Sequence, residues 1–395
     1  MIKSVKEILS DDFWIMPATP EYKPEGIPYI TSKNIKNGAI DFGNVNYISE
    51  EDYESISKNR PIKSGDILIS MIGTIGETAE VTEQDGKFYG QNMFLVRLNS
   101  ETINKRYFLN FFRSGAVKRA LAGSQNQSTQ KYLKANHIED LQIPVPSIKE
   151  QGEIANRLDL LSIVVTQRKK QLDIFDELIK ARFVEMFGEP IANPKRWPVK
   201  QMKEISFLIT NGNTPKGGSE NYVDQGIIFL RSQNVWRNRI DMSDVAYIDE
   251  ATHAGMKKSS VHHNDILITK TGRINTENSS LGRAALYTGE DDSANINGHV
   301  YLIRLTKEVD PRFVVTILTG EAYRKYIRKV CVGGIDKRQI NLDQVEEFPI
   351  IQPPIEDQIR FAEFAEQIDK AKVAVQKALE ETQTLFNSLM QEYFG

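Results

Sequence analysis

Several short stretches of this 395-residue chain concentrate side chains that could grip phosphates or read base edges. From Lys105 to Lys134 the chain carries Lys105, Arg106, Arg113, Lys118, Arg119, Lys131 and Lys134 with no acid between them. Later come Arg324, Lys325, Arg328, Lys329, Lys337 and Arg338, with Asp336 the one acid in that run. Gln125, Asn126 and Gln127 lie beside the first stretch, and Arg231, Gln233, Asn234, Trp236, Arg237 and Arg239 form a polar and aromatic run in the second half. Lys33 and Asn34 occupy the matching place in the first half. Cations of this kind suit DNA phosphates. Arginine can pair twice with guanine, and asparagine or glutamine twice with adenine. The candidate DNA contacts are therefore Lys33, Asn34, Arg113, Lys118, Arg119, Gln125, Asn126, Gln127, Lys131, Arg231, Gln233, Asn234, Arg237, Arg239, Arg324, Lys325, Lys337 and Arg338.

The whole-chain charge argues the other way, being −3 at pH 7 with a pI near 6.1. Phosphate attraction is local, however, because it is screened beyond about 10 Å in ordinary salt. The acids gather elsewhere, on the tails and from Glu50 to Glu54. The catalytic search is nearly empty. No Gly-rich phosphate loop is present, so Asp176-Glu177 is a charged helix face and no helicase motif. Asn193-Pro194-Lys195 begins like an amino-methyltransferase motif and lacks its second proline and its aromatic residue. His262 and His263 are adjacent, so their side chains point apart, and no third ligand follows at metal spacing. The expectation is a chain with no catalytic residue and no metal. Cys331 is the only cysteine, which excludes an internal disulfide. With no signal peptide and no run near 18 apolar residues, a cytoplasmic protein with no membrane contact is expected.

What must position these residues is a duplication. Ile30-Thr31-Ser32-Lys33-Asn34-Ile35 is answered about 200 residues later by Leu230-Arg231-Ser232-Gln233-Asn234-Val235. Asp66-Ile67-Leu68-Ile69 is answered by Asp265-Ile266-Leu267-Ile268, and Phe94 to Leu98 by Tyr301 to Leu305. Met186-Phe187-Gly188 matches the terminal Tyr393-Phe394-Gly395. Each copy is long enough to hold its own core.

Each copy ends in a tail with a heptad seam. Ser147-Ile148-Lys149-Glu150 has capping-box form, which predicts a helix start. Its apolar positions are Ile154, Leu158, Leu161, Val165, Leu172, Phe175, Ile179 and Met186, and Gly188 with Pro190 ends it. The second tail opens at Pro353-Pro354 and carries Phe361, Ala365, Ile368, Val375, Leu379, Phe386, Leu389 and Tyr393. Arg168 faces a seam that has Val375 in the other copy, and Lys372 one that has Val165. Two matched helices with imperfect seams are expected to pair with each other, and the order globule, helix, globule, helix favours an antiparallel coiled coil.

The expected fold class is α+β, with two mixed domains in tandem. The predicted partition is 1–146 for the first globular domain, 147–188 for the first long helix, 189–352 for the second domain and 353–395 for the second helix. Strands are predicted at 66–71, 94–98, 266–270 and 300–305, and helices at 106–121 and 311–330. The polar stretch 271–282 reads as a loop.

The segment Ile143-Pro144-Val145-Pro146-Ser147-Ile148-Lys149-Glu150-Gln151 and its partner Ile350-Ile351-Gln352-Pro353-Pro354-Ile355-Glu356-Asp357-Gln358 resemble the opening of the long helices in specificity subunits of Type I restriction-modification systems. Gly65-Asp66-Ile67-Leu68-Ile69 followed by Gly73-Thr74-Ile75-Gly76 is similar to the strand and turn of that family's recognition domains; the second copy departs at Asn264-Asp265 and Thr271 to Ile274. The resemblance spans essentially the whole chain. It implies that each globule reads one half of an interrupted, asymmetric double-stranded DNA sequence, while the helices set the gap and dock two modification subunits. Restriction subunits would complete the complex. S-adenosylmethionine, ATP and Mg would then be bound by partner subunits, and no cofactor by this chain. Two other classes stay open on residues alone, a self-contained modification or restriction enzyme and a coiled-coil adaptor that binds no DNA.

Overall fold

The strands predicted around Ile67 and Ile266 become the centres of two antiparallel sheets with the same strand order. In the first copy the order is Leu9–Ile15, Met93–Leu98, Ile67–Ser70, Thr78–Glu80. In the second it is Ser206–Asn211, Val300–Leu305, Ile266–Thr269, Ala284–Leu286. The computed structural model describes residues 1–17, 20–36, 38–72, 75–123, 133–215, 217–276 and 278–395. A smaller sheet recurs in both copies. Ile27–Thr31 runs parallel to Tyr89–Gln91 and antiparallel to Asn46–Ile48. Ile227–Leu230 does the same with Ala294–Ile296 and Ala246–Ile248, and Ser260–Val261 joins its edge.

The repeated Gly/Asn-Asp-Ile-Leu-Ile run has a structural purpose. Asp66 and Asp265 are each 1% exposed, and each takes a two-pronged bond from a strand arginine. Arg97 reaches Asp66 at 2.8 Å through both Nε and Nη2, and Arg304 reaches Asp265 at 2.9 and 2.7 Å. The same carboxylates accept from the amides of Lys63 and His262 at 2.7 Å, which closes the turn before each strand. Such a pair is costly to break, because the surviving partner stays buried and unpaired.

The helical stretches are each split in two. Lys105–Phe112 stops before Ser114, whose hydroxyl accepts from Val117 as Gly115–Gly123 begins. Pro311–Thr319 and Glu321–Val330 are separated by Gly320 in extended conformation. The expected loop at 271–282 is corrected in part: Thr271–Arg273 pairs with Lys337–Gln339, which pairs with Val332–Gly333. Those three strands are too short and polar to show a period of two. No described helix is long and apolar enough to cross a membrane.

The two long helices are Ile148–Phe187 and Ile355–Phe394, each 40 residues. Compact units do not follow chain order: one is Met1–Gln171 with Val375–Gly395, the other Leu172–Ala374. In the first unit, Arg157 donates to Tyr393 at 3.3 Å, and further along Arg168 donates to the Ala378 carbonyl and the Thr382 hydroxyl. In the second, Asp176 pairs with Lys372 at 2.6 Å and the Phe183 ring meets that of Phe361 at 5.3 Å. One number falls as the other rises, so within each unit the helix segments are antiparallel. Every apolar seam position is buried or half-buried. The polar ones are answered across the seam, Arg168 by Thr382 and Lys372 by Asp176.

The helix openings explain their own motif. Ser147 accepts from the Glu150 amide at 3.3 Å, the serine half of a capping box. The next residue, Gln151, is fully buried; its Oε1 accepts from the Asn104 amide at 2.8 Å, and its Nε2 donates to the carbonyls of Pro146 and Thr102 at 2.9 and 3.1 Å. Gln358 repeats this in the second copy, accepting from the Asp310 amide at 3.1 Å and donating to Pro353 at 2.8 Å. At the other end Gly188 takes a left-handed conformation, φ +79°, and the last carbonyls are capped by Lys195 at 2.7 and 2.9 Å and by the Trp197 indole at 3.0 Å. Replacing Gln151 by Leu strands a buried amide and two carbonyls, each worth about 1–3 kcal/mol unpaired. Gln151→Leu is expected to lower the urea midpoint by a loss of at least that size, with Gln151→Glu intermediate; a midpoint equal to that of the unaltered chain would refute the clamp.

Candidate nucleic-acid interface

In each domain the turn of a two-stranded hairpin meets the end of the helix that leads into the one carrying the basic pair. In the first, the hairpin Ile35–Lys36 with Ala39–Ile40 turns at Gly38, φ +84°, where an added side chain would meet the Arg113 guanidinium at 2.8 Å. The helix Gly115–Gly123 follows directly, with Lys118 and Arg119 exposed and in no ion pair among the described residues. In the second, the hairpin Val235–Trp236 with Arg239–Ile240 turns at Asn238, whose side-chain oxygen accepts from Thr319 at 3.1 Å just before the helix Glu321–Val330. The Arg324 guanidinium on that helix is pushed below its usual value, first by burial and then by the charges of Arg237 and Arg328. Arg237 and Arg328 therefore lie close enough to Arg324 for their charges to oppose its own.

Other expected contacts are absorbed by the fold. Asn34 is buried, its Oδ1 accepting from the Thr31 amide at 2.9 Å and its amide donating to the carbonyls of Asp41 and Asn44 at 2.9 and 3.1 Å. Asn234 repeats this with Arg231, Asp241 and Asp244 at 2.9, 3.0 and 2.7 Å. Both are loop staples, which corrects the expectation that they read bases: an asparagine with both ends engaged has nothing left for a base edge. Arg231 and Gln233 are tethered to Asp244, at 3.3 and 2.8 Å. Lys105 and Arg106, from the acid-free stretch, are neutralised in space by Glu80 at 2.5 Å and Asp159 at 2.6 Å. Lys325 pairs with Glu321 at 2.9 Å, both exposed, a contact of little strength.

Lys33, Arg237, Arg239 and Lys337 are exposed, and Arg338 is half-buried with its Nε on the Gly334 carbonyl at 3.2 Å. Gln125, Asn126, Gln127 and Lys131 lie outside the described residues. One residue escaped sequence reasoning. Arg283 stands alone in the chain, yet its guanidinium lies 3.8 Å from the centre of the Trp236 ring. A lone arginine between Gly282 and Ala284 gives no signal at all in sequence.

Residues 4–173 and 194–382 match the family described as Type I restriction modification DNA specificity domain. The chain belongs to this family. Among relatives, it is 21% identical to the Type I restriction enzyme StySPI specificity subunit of Salmonella potsdam, over 92% of this chain and 80% of that one. It is 26% identical to the Type I restriction enzyme MjaIX specificity subunit of Methanocaldococcus jannaschii, over 69% of this chain and 66% of that one. The S subunit of the Type I restriction-modification system from M. genitalium, known as a crystal structure, covers 100% of this chain and 96% of its own at 14% identity, with a TM-score of 0.59. A second solved structure, from work on complex assembly and conformational transition of the type I R-M system, covers 100% and 97% with a TM-score of 0.56.

As a DNA-specificity subunit of the Type I family, the chain must hold its contacts on a rigid frame, and the two staples supply part of it. Asn234→Ala is expected to cost about 1–3 kcal/mol in denaturant unfolding, since the Arg231 amide and the Asp241 carbonyl lose their side-chain partner and the Asp244 carbonyl keeps only Arg231. In a duplex-binding series it should leave base preference unchanged; a changed preference at one base pair would return Asn234 to the interface. Neutralising Lys118 and Arg119 together is expected to flatten the dependence of log K on log salt by about 1 to 2, at about 0.9 per phosphate contact.

Proposed function

We propose that each globular domain reads one half of a bipartite, asymmetric DNA target, and that the paired helices set the gap and dock two modification subunits. The observation that carries this is the duplication at the level of the site: in each copy a hairpin turn meets the end of the helix that leads into a basic helix, and each copy is pinned to a long helix by a buried glutamine. Two related readers on one chain suit two different half-sites. On this reading the chain itself is non-catalytic and works in the cytoplasm. Methyl transfer from S-adenosylmethionine, and ATP- and Mg-dependent translocation and cleavage, would belong to the modification and restriction subunits.

Exchanging residues 189–352 for the second domain of another family member is expected to change one half-site only. Methylome sequencing of the host reads this directly, and two altered half-sites would sink the two-reader proposal. Removing one heptad from each helix, Arg168 to Ile174 together with Val375 to Glu381, keeps the seam in phase. It shortens an antiparallel pair by about 10 Å, or roughly three base pairs. A binding series on duplexes that differ only in gap length should then favour a shorter gap; an unmoved optimum would show that the helices do not set the spacing.

A further inference from the structure

In the second domain Trp236, Arg237, Arg239, Asn278 and Arg283 line a cavity of about 130 Å³. The hairpin that carries the first three is pinned beside the Arg283 strand, because the Asn238 amide donates to the Ala284 carbonyl at 2.9 Å. Arg283 is only 8% exposed. Its guanidinium stacks on the Trp236 indole at 3.8 Å and donates to the Ser279 and Asn278 carbonyls at 3.0 and 2.5 Å. Arg239 lies 5.4 Å from the same indole and is exposed. Among the described residues neither Arg239 nor Arg283 pairs with a carboxylate. Burial, and then the charge of Arg237, push the Arg283 guanidinium below its usual value. The stack on an aromatic face eases a buried cation without neutralising it.

The first domain shows that the fold does not need this cluster. The Glu77 amide donates to the Ser70 hydroxyl at 3.0 Å, as the Arg283 amide donates to the Thr269 hydroxyl at 2.9 Å, so Glu77 occupies the position of Arg283. In the hairpins Lys36 pairs with Ala39 where Trp236 pairs with Arg239. The frame is common to both domains, while the aromatic and the cations belong to the second alone.

We propose that this cavity seats one backbone phosphate of the DNA bound by the second domain, gripped by Arg239 and Arg283 over Trp236. The proposal rests on the DNA-recognition reading above. An anion is the occupant that answers Arg239 and Arg283, neither of which pairs with a carboxylate among the described residues, and the planar guanidinium of the exposed Arg239 matches two phosphate oxygens. The volume equals roughly four waters at about 30 Å³ each, enough for a phosphate of five heavy atoms. A stacked base fits less well, since a guanidinium already covers the indole.

The test is a salt series of binding by the full chain to fluorescent duplexes of unrelated sequence, comparing wild type with Arg239→Ala and with Arg239→Ala/Arg283→Gln. The double variant is expected to weaken binding equally on every duplex and to lower the slope of log K against log salt by about 1. Arg239→Ala, at an exposed position, moves the slope in the same direction and carries the test by itself if the double variant does not fold. A slope equal to that of wild type, with wild type binding in a salt-dependent way, overturns the phosphate seat and leaves the DNA reading standing. An unchanged slope with lost discrimination at one base pair overturns it in favour of base recognition. A wild-type chain that binds no duplex overturns the DNA reading itself.

Discussion

A buried side-chain amide stands between each globular domain and the helix that follows it, and the presentation of everything else depends on that joint. Gln151 and Gln358 each tie the first turn of a long helix to the first turn of a helix inside the domain, at the Asn104 and Asp310 caps. A hydrophobic contact at this place would hold the parts together and permit sliding. Hydrogen bonds of fixed direction in a dry setting do not, because any rotation strands a buried donor or acceptor. On the proposed reading that rigidity matters, since a hairpin offset by an ångström would no longer meet a phosphate or a base.

Charge is handled with the same economy. The chain is net negative, yet each domain carries a basic helix, while acids elsewhere in the domain hold other cations. Asp66 and Asp265 remove Arg97 and Arg304 from the surface, and Glu80 and Asp159 hold Lys105 and Arg106. Since the field of an exposed charge fades within about 10 Å, what approaching DNA meets is this local pattern and not the total.

Duplication has left a clear division of labour in the second domain. Strand order, the buried arginine–aspartate pair, the asparagine staple and the glutamine joint recur in both copies, and these are the features that hold the fold. The hairpin side chains and the residue at the edge of the central sheet do not recur: Lys36, Ala39 and Glu77 stand where Trp236, Arg239 and Arg283 do. A frame that tolerates opposite charge at one position can change its target without being rebuilt.

The sequence by itself determined the duplication, the two helices and their seams, and the existence of two basic regions, because heptad spacing, capping residues and repeated motifs are local patterns. It also pointed to the antiparallel pairing through chain order. Which polar residues face outward was a tertiary decision. Asn34 and Asn234 look like base readers in sequence and are staples in space, since a short amide beside its own turn finds backbone partners first. Arg283 looks like nothing in sequence and gains its meaning from Trp236, 47 residues earlier in the chain. Contacts that join distant segments carry no periodic signal, so only the folded chain could bring that arginine to its indole.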